Sequence, residues 1–341
     1  MVAGDMKIYA LENVQGDIVY TTTVAPLRLG GLSNPNIGSL SLSLPTPTNI
    51  QVKRVLLEIG MVTREYPERM RWRLWFDGIA VSREYRPKSI AQLGDDEGYY
   101  SKTVFDVTPI YKGDSDVHKV TIAYEGSNPI TVEHVGLFAV YDVPDSVVSF
   151  AFLSGALALN PGESYTLSIN MRDIPEDATH ASVRAVLALT QRDSMVRISV
   201  NGSKDRSITG FVGVEEVNLD TIPVTGAYRI SFEHVKGSRP VRISTLIVSV
   251  ARRTLPDIHI ESVERTGEEL TVRLVNRGAT KPERVMLLAI VPGEHIERLE
   301  VEPLDSGEST EVKVKAPSDK RVTLRVVWVK HGKPYQREIR V

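Results

Sequence analysis

The sequence predicts an all-β protein: two tandem, duplicated β-sandwich domains of jelly-roll-like pattern, followed by an immunoglobulin-like β-sandwich. Three observations carry this. Segments of five to nine residues alternate apolar and polar side chains, and helical periodicity is nearly absent. Gly, Pro, Asn and Asp break those segments every eight to twelve residues, the pattern of antiparallel sheets with one wet and one buried face. The pattern of one region also returns in another, which points to an internal duplication.

The first domain is placed at residues 1–145. Its early segment Gly38-Ser39-Leu40-Ser41-Leu42-Ser43-Leu44 alternates without a charge and reads as a half-buried strand, or as an edge that pairs with another chain. Val52 to Ile59 matches Ala181 to Ala188 in pattern. Each match is followed by a strand that ends in Asp77-Gly78 or Asn201-Gly202, dipeptides that supply the positive φ of a tight hairpin. Farther on, Gly126-Ser127-Asn128-Pro129 matches Gly237-Ser238-Arg239-Pro240. Each leads into an apolar strand and then to Pro144 or Pro256. The second domain is accordingly 146–255.

The two copies differ in length. Gly78 and Gly126 are 48 residues apart and Gly202 and Gly237 are 35 apart, so the first copy holds 13 extra residues within about 83–103. An insertion in one copy of a repeated scaffold is expected on a loop, where binding residues collect. Two candidate sites fall there. Asp95, Asp96 and Glu97 form a glycine-flanked acidic loop that could curl around a calcium ion through carboxylate and carbonyl oxygens, although it lacks the EF-hand spacing. Tyr85, Tyr99 and Tyr100, with Trp75 on a nearby strand, could form an aromatic platform for a glycan. Strand alternation puts Trp72, Leu74 and Phe76 on one face and Arg73 and Trp75 on the other. Trp72 is thus expected in the core and Trp75 at the surface.

The third domain is placed at 256–341, with seven short strands at Ile258–Val263, Leu270–Val275, Val285–Val291, Ile296–Val301, Thr310–Val314, Val322–Val329 and Gln336–Val341. Its runs Pro256-Asp257-Ile258-His259-Ile260, Leu270 to Gly278 with Val275-Asn276-Arg277-Gly278, and Leu304-Asp305-Ser306-Gly307-Glu308-Ser309-Thr310 resemble the cell-adhesion-related immunoglobulin-like domain of bacterial and archaeal surface proteins. The resemblance covers about a quarter of the chain and rests mostly on turn chemistry. It implies a surface or secreted setting as a spacer or binding accessory, and it carries over no catalytic residue. The tandem copies resemble, at pattern level, β-sandwich or jelly-roll modules of surface and capsid proteins.

Composition narrows the function. Lys and Arg number 41 against 43 Asp and Glu, a formal net charge of -2, so there is no global basic field for nucleic acid. The absence of cysteine removes thiol nucleophiles, disulfides and thiolate metal sites. Five glutamines beside abundant Arg, Glu and Val match a thermophile's composition. No run reaches the 18 or more apolar residues of a spanning helix, and the opening residues lack a signal-peptide pattern. An extracellular or cell-surface location is expected if a leader has been removed.

No nucleophile elbow, P-loop, dinucleotide fingerprint or H-E-x-x-H motif is present. No two of the seven histidines lie two to four residues apart. Glu133-His134 and Glu233-His234 pair a carboxylate with an imidazole, but on opposite sides of the shared Gly-Ser-x-Pro turn, so they are not equivalent. The expectation is a non-enzymatic structural or adhesive surface protein that needs no cofactor. Its partners are further copies of itself or another surface protein. The alternatives are a carbohydrate-binding protein that uses the aromatic platform and a virion coat protein of paired jelly rolls.

Overall fold

In a computed structural model the chain forms two compact units, Met1–Arg252 and Arg253–Val341. The described residues are 2–23, 25–44, 50–94, 98–113, 115–202, 204–220, 222–291, 294–317, 322–330 and 333–341. Among them are 26 strands and two single-turn 3-10 helices, Pro67–Arg69 and Thr108–Ile110. The predicted all-β class is the observed one. No helix among the described residues is long and apolar enough to cross a membrane.

The first unit stacks four antiparallel sheets as two sandwiches. In the first sandwich the outer sheet runs Ile37–Ser43, Val117–Tyr124, Trp72–Phe76, Ile79–Ser82 in spatial order. The inner sheet runs Asp17–Thr22, Ile130–Tyr141, Val52–Thr63, Gly98–Asp106, Ser89–Gly94, and Leu27–Leu29 also pairs with Ile130–Tyr141. In the second sandwich the outer sheet runs Ser164–Asn170, Ala227–Lys236, Met195–Val200, Lys204–Thr209. The inner sheet runs Ala3–Gln15, Ser146–Leu159, Val241–Arg253, His180–Leu189, Gly213–Leu219. Each sandwich buries its own core: Trp72, Leu74, Phe76, Leu57 and Leu137 in the first, Ile198, Phe232, Val183 and Val248 in the second.

The outer sheets alternate as the sequence predicts, because one face meets the core and the other meets water. The inner sheets do not. Val55 to Met61 is buried without a break, as is Val148 to Leu159, because each inner sheet has a core on one face and the other inner sheet on its second face. Phe138, Phe150, Phe152, Val148 and Val186 form the apolar part of that seam.

From Ile37–Ser43 and Ser164–Asn170 onward, chain order along the two sandwiches is the same, save for one edge strand added to the first. The match reaches single hydrogen bonds. Asp77 and Asn201 both have positive φ, 47° and 53°. Each places its Oδ1 2.7 Å from a backbone nitrogen of the neighbouring strand, that of Lys119 or of Arg229. Ser39 pairs with Thr121 at 2.9 Å, as Thr166 does with Ser231 at 2.8 Å. One correspondence drawn from pattern needs correction. The ladders set Ile59 opposite Val135 and Ala185 opposite Leu246, so Val55, not Val52, holds the place of Ala181. An offset of three residues would reverse every face.

Two further expectations change. Residues 3–15, assigned by sequence to the first domain, pair along their length with Ser146–Leu159 and so belong to the second sandwich. The expected boundary at 145 therefore falls inside the compact unit Met1–Arg252. The expected loop at 83–103 instead contains strand Ser89–Gly94, the added edge of the first inner sheet. Ala91 and Leu93 pack there with Tyr100, Ala156 and Ala158, and Ser89 Oγ donates to Asp5 Oδ1 at 2.7 Å while it accepts from the Ala156 N–H at 2.9 Å. Apolar residues at alternate positions of the insertion find a partner sheet to cover them, which a solvent loop would not offer.

Among the described residues the second unit has seven strands, at the expected places. Ile258–Thr266, Glu269–Asn276 and Ser309–Lys315 form one sheet; Glu294–Val301, Arg284–Val291, Thr323–Lys330 and Lys333–Arg340 form the other. Between them Val272, Leu274, Leu287, Val326 and Trp328 form the core. The turn residues noted in the sequence form a polar corner. Asn276, fully buried, donates to the carbonyls of Thr280 (2.8 Å) and Leu304 (2.9 Å) and accepts from the N–H groups of Asp257 (3.1 Å) and Gly278 (2.9 Å). A Cβ at Gly278 would lie 2.3 Å from the Asp257 nitrogen, so only glycine fits.

Candidate functional site

The seam between the two inner sheets carries a buried polar cluster. Glu58 sits on Val52–Thr63, whose alternate residues Leu57 and Ile59 face the first core, so its carboxylate points at the second sandwich. Four groups converge on it. Its Oε1 accepts from Tyr20 Oη and Thr245 Oγ1, both at 2.6 Å, and its Oε2 accepts from Ser154 Oγ at 2.7 Å and lies 3.1 Å from Lys102 Nζ. His134 Nε2 is 3.6 Å from Oε1 and hydrogen-bonds with the Lys102 ammonium. Glu58, Lys102, His134, Ser154 and Thr245 are each at most 1% exposed.

Backbone features make room for this cluster. A bulge at Glu133 turns His134 into the seam, and the second sandwich has a bulge at Ser244 in the same place, followed by Thr245. Gly60 and Gly136 leave the needed space. A Cβ on Gly60 would lie 2.7 Å from the His134 ring, and one on Gly136 would lie 2.7 Å from Glu58 Oε1.

Protonation follows from these contacts. Burial alone would raise the Glu58 carboxyl, but the Lys102 ammonium 3.1 Å away holds it well below the usual carboxylate range. Burial pulls Lys102 down to about 8 against the opposing pull of Glu58. His134 is lowered by burial and then by the Lys102 charge. At neutral pH the cluster is a carboxylate–ammonium pair with a neutral imidazole. The hydroxyls of Tyr20, Ser154 and Thr245 solvate the carboxylate in place of water.

Next to this cluster the seam opens as a cleft of about 720 Å³ with residues of both sandwiches on its walls. Of its charged residues Glu133 and Arg242 lie deepest, 8% and 9% exposed. Arg242 donates Nε to Glu133 Oε2 at 2.9 Å and Nη2 to Oε1, a two-point pair, and its guanidinium lies 5.9 Å from the Tyr100 ring centre. Arg28, Arg64 and Arg239 also line the cleft. Among the described residues, His, Asp and Glu side chains nowhere gather in threes suited to a metal ion.

The residues singled out in the sequence do not converge on one surface. Trp75 is half-buried on the outer sheet, where it borders a depression of about 250 Å³ with Arg73, Ala80, Ser82 and Arg83. Trp72 is in the core at 2% exposure. Tyr85 is buried against Trp72, ring centres 4.6 Å apart, and its hydroxyl bonds Ser101 at 2.8 Å. Tyr100 is buried in the seam, and Tyr99 is half-buried edge-on to Tyr66 at 5.5 Å. Asp95, Asp96 and Glu97 lie outside the described residues.

Sequence reasoning weighed Glu133 and His134 but passed over Glu58, Lys102 and Arg242. The available signal was a charge set inside an apolar run, as Glu58 is in Val55-Leu56-Leu57-Glu58-Ile59. Charged side chains are rarely buried unless paired.

No protein family and no curated protein matches this sequence. Solved structures of the Ruminococcus gnavus β-glucuronidase show a faint likeness. One is 12% identical over 53% of this chain and 36% of that one, with a TM-score of 0.21. Its complex with D-glucuronic acid gives 12%, 53%, 36% and 0.22, and a complex with uronic isofagomine gives 11%, 53%, 35% and 0.22. The likeness spans little more than a third of that enzyme's length, and one of this size transfers neither activity nor substrate.

Proposed function

We propose that the chain is a non-enzymatic structural or adhesive protein that acts through rigid contacts between β-sandwiches, built from two copies of one module and an immunoglobulin-like unit. The observation that carries this reading is where its most perturbed acid–base groups lie. Glu58, Lys102 and His134 are sealed between two sheets, out of reach of any substrate. There they fasten one sandwich to the other.

The contacts offered outward are sheet edges. Ile37–Ser43 ends its sheet, carries no charge or proline and exposes Ser39, Ser41 and Ser43. Natural edges are usually blunted by charge or proline. Ser164–Asn170 holds the same edge of the second sandwich with the same alternation of burial. A second copy can add its own strand to either edge by backbone hydrogen bonding.

Sedimentation across a range of protein concentrations tests this reading. The wild type is expected to self-associate, and charge placed along both exposed edges, Ser41→Lys with Ser43→Lys and Thr166→Lys with Ser168→Lys, should shift it to monomer. A strict monomer at every concentration and salt would overturn it. The half-exposed Trp75 beside Arg73 and Arg83 favours glycan contact as a second reading. A glycan array with wild type and Trp75→Ala tests that, and an array without sugar-dependent signal removes it.

A further inference from the structure

We infer that the cleft at the end of the seam is a binding site for an acidic peptide segment, an inference separate from the assembly reading above. Among the described residues four arginines line it, Arg28, Arg64, Arg239 and Arg242, against one carboxylate, Glu133, which Arg242 already engages at two points. Arg28 and Arg64 are exposed and form no ion pair among the described residues. Arg28 and Arg64 therefore bring positive charge to the cleft in a chain whose net charge is -2, and guanidinium groups match carboxylates in a planar, two-point geometry.

The remaining wall selects among anions. Val62, Leu189, Val212 and Pro129 supply apolar surface between the arginines, and Val212 is 59% exposed. Among the described residues no aromatic side chain lines the cleft, so they offer none of the stacking faces that sugar rings and bases use. At about 720 Å³ it falls within the roughly 300–1,000 Å³ range of sites that enclose an organic ligand, and well above what a single small anion fills. A peptide with carboxylates at alternate positions and small apolar residues between them satisfies both walls.

The buried Glu133–Arg242 pair gives the site a fixed floor. Arg242 stands on one sandwich and Glu133 on the other, and their two-point pair keeps both in place, so the floor of the cleft needs no reordering on binding. Pre-organisation of that kind reduces the entropy lost on association.

The test is fluorescence anisotropy of the full chain with a labelled peptide of alternating glutamate and valine. The controls are the glutamine–valine counterpart, inorganic phosphate and a sulfated saccharide. The glutamate peptide is expected to bind, to weaken with added salt, and to lose about tenfold in affinity in the Arg28→Ala, Arg64→Ala double variant. Both side chains are exposed, so an unchanged melting temperature shows that the fold is intact. Equal binding of the glutamine peptide, or no loss in the double variant, overturns the proposal. Binding of phosphate or saccharide without binding of the glutamate peptide overturns it as well.

Discussion

At the same place in their inner sheets, the two sandwiches carry different chemistry. After its bulge the first has Glu133 and His134; the second has Ser244 and Thr245. The first also contributes Glu58 and Lys102, whereas the second brings Ser154 and the guanidinium groups of Arg242, on Glu133, and Arg184, on the Tyr20 carbonyl. One half thus supplies most of the charge together with the Tyr20 hydroxyl, and the other supplies the Ser154 and Thr245 hydroxyls and the Arg242 guanidinium that meet it. The turns and outer edges, which face water in both halves, are alike down to single hydrogen bonds. The differences concentrate where the halves touch, and they make them complementary.

The largest test of that complementarity is Glu58→Leu. It strands the Lys102 ammonium in a dry seam and should lower unfolding free energy by about 3–5 kcal/mol. Chemical denaturation checks this. Adding Lys102→Met should restore most of the loss, since a buried ion pair replaced by apolar residues of similar volume is often neutral. If the double variant remains as weak as the single, the pair is not acting as a unit.

Gly60→Ala comes next. The new Cβ at 2.7 Å from His134 and 2.8 Å from the Tyr100 hydroxyl should cost about 1–3 kcal/mol by overpacking. An Ala at Gly162, where nothing lies within 4 Å but φ is +80°, serves as a control for backbone strain alone.

The seam also sets a pH profile with a defined sign. His134 has a lowered pKa in the fold. As pH falls below its ordinary 6.5 the unfolded chain takes up a proton that the native one resists, and stability drops by up to about 1.4 kcal/mol per pH unit. Glu58, ionised natively far below its ordinary 4.5, adds a second loss as pH falls through that value. Lys102 acts at the other end: its folded pKa of about 8 against 10.5 imposes a penalty below 8 that fades as pH rises toward 10.5. Tyr20 and Tyr100, raised well above 10.0, bring stability down again above pH 10. Thermal melts should peak on the alkaline side, between about pH 8 and 10. His134→Gln should flatten the slope near 6.5; a variant that leaves the whole profile unchanged would show that the seam does not govern it.

The smallest effect compares the two turns. Asn201→Ala loses the bond to the Arg229 N–H and keeps a positive φ, a cost of about 1–2 kcal/mol. Asp77→Ala should cost more, because Asp77 also binds His118 Nδ1 at 2.7 Å. Equal losses in denaturation would mean that the extra imidazole contact contributes nothing.

Much of the fold was legible, and physics separates what was from what was not. The outer strands and the whole second unit announce themselves because a strand wet on one face must alternate, and Asp77-Gly78 and Asn201-Gly202 mark their own hairpins. The inner strands hide their second covered face. A run such as Val55 to Met61 reads as one buried strand, and nothing local says that another sheet lies across it or that Glu58 meets Lys102 there. The pairing of Ala3–Gln15 with Ser146–Leu159 spans about 140 residues, beyond any periodicity. Tyr85 and Tyr100 were legible as a cluster in sequence, but only packing decides whether a tyrosine faces water, and both fill interior space.

That long-range pairing bears on how the molecule is made. Ala3–Gln15 leaves the ribosome long before Ser146–Leu159, the strand it lies against. During that interval the nascent chain holds an unsatisfied ribbon and the bare inner face of its first sandwich, Phe138 and Glu58 included. Synthesis thus passes through a docking event that ties an early strand to a late one, and a gene cut at codon 145 would encode a second fragment without Ala3–Gln15 and a first fragment that carries this strand with no Ser146–Leu159 to pair it.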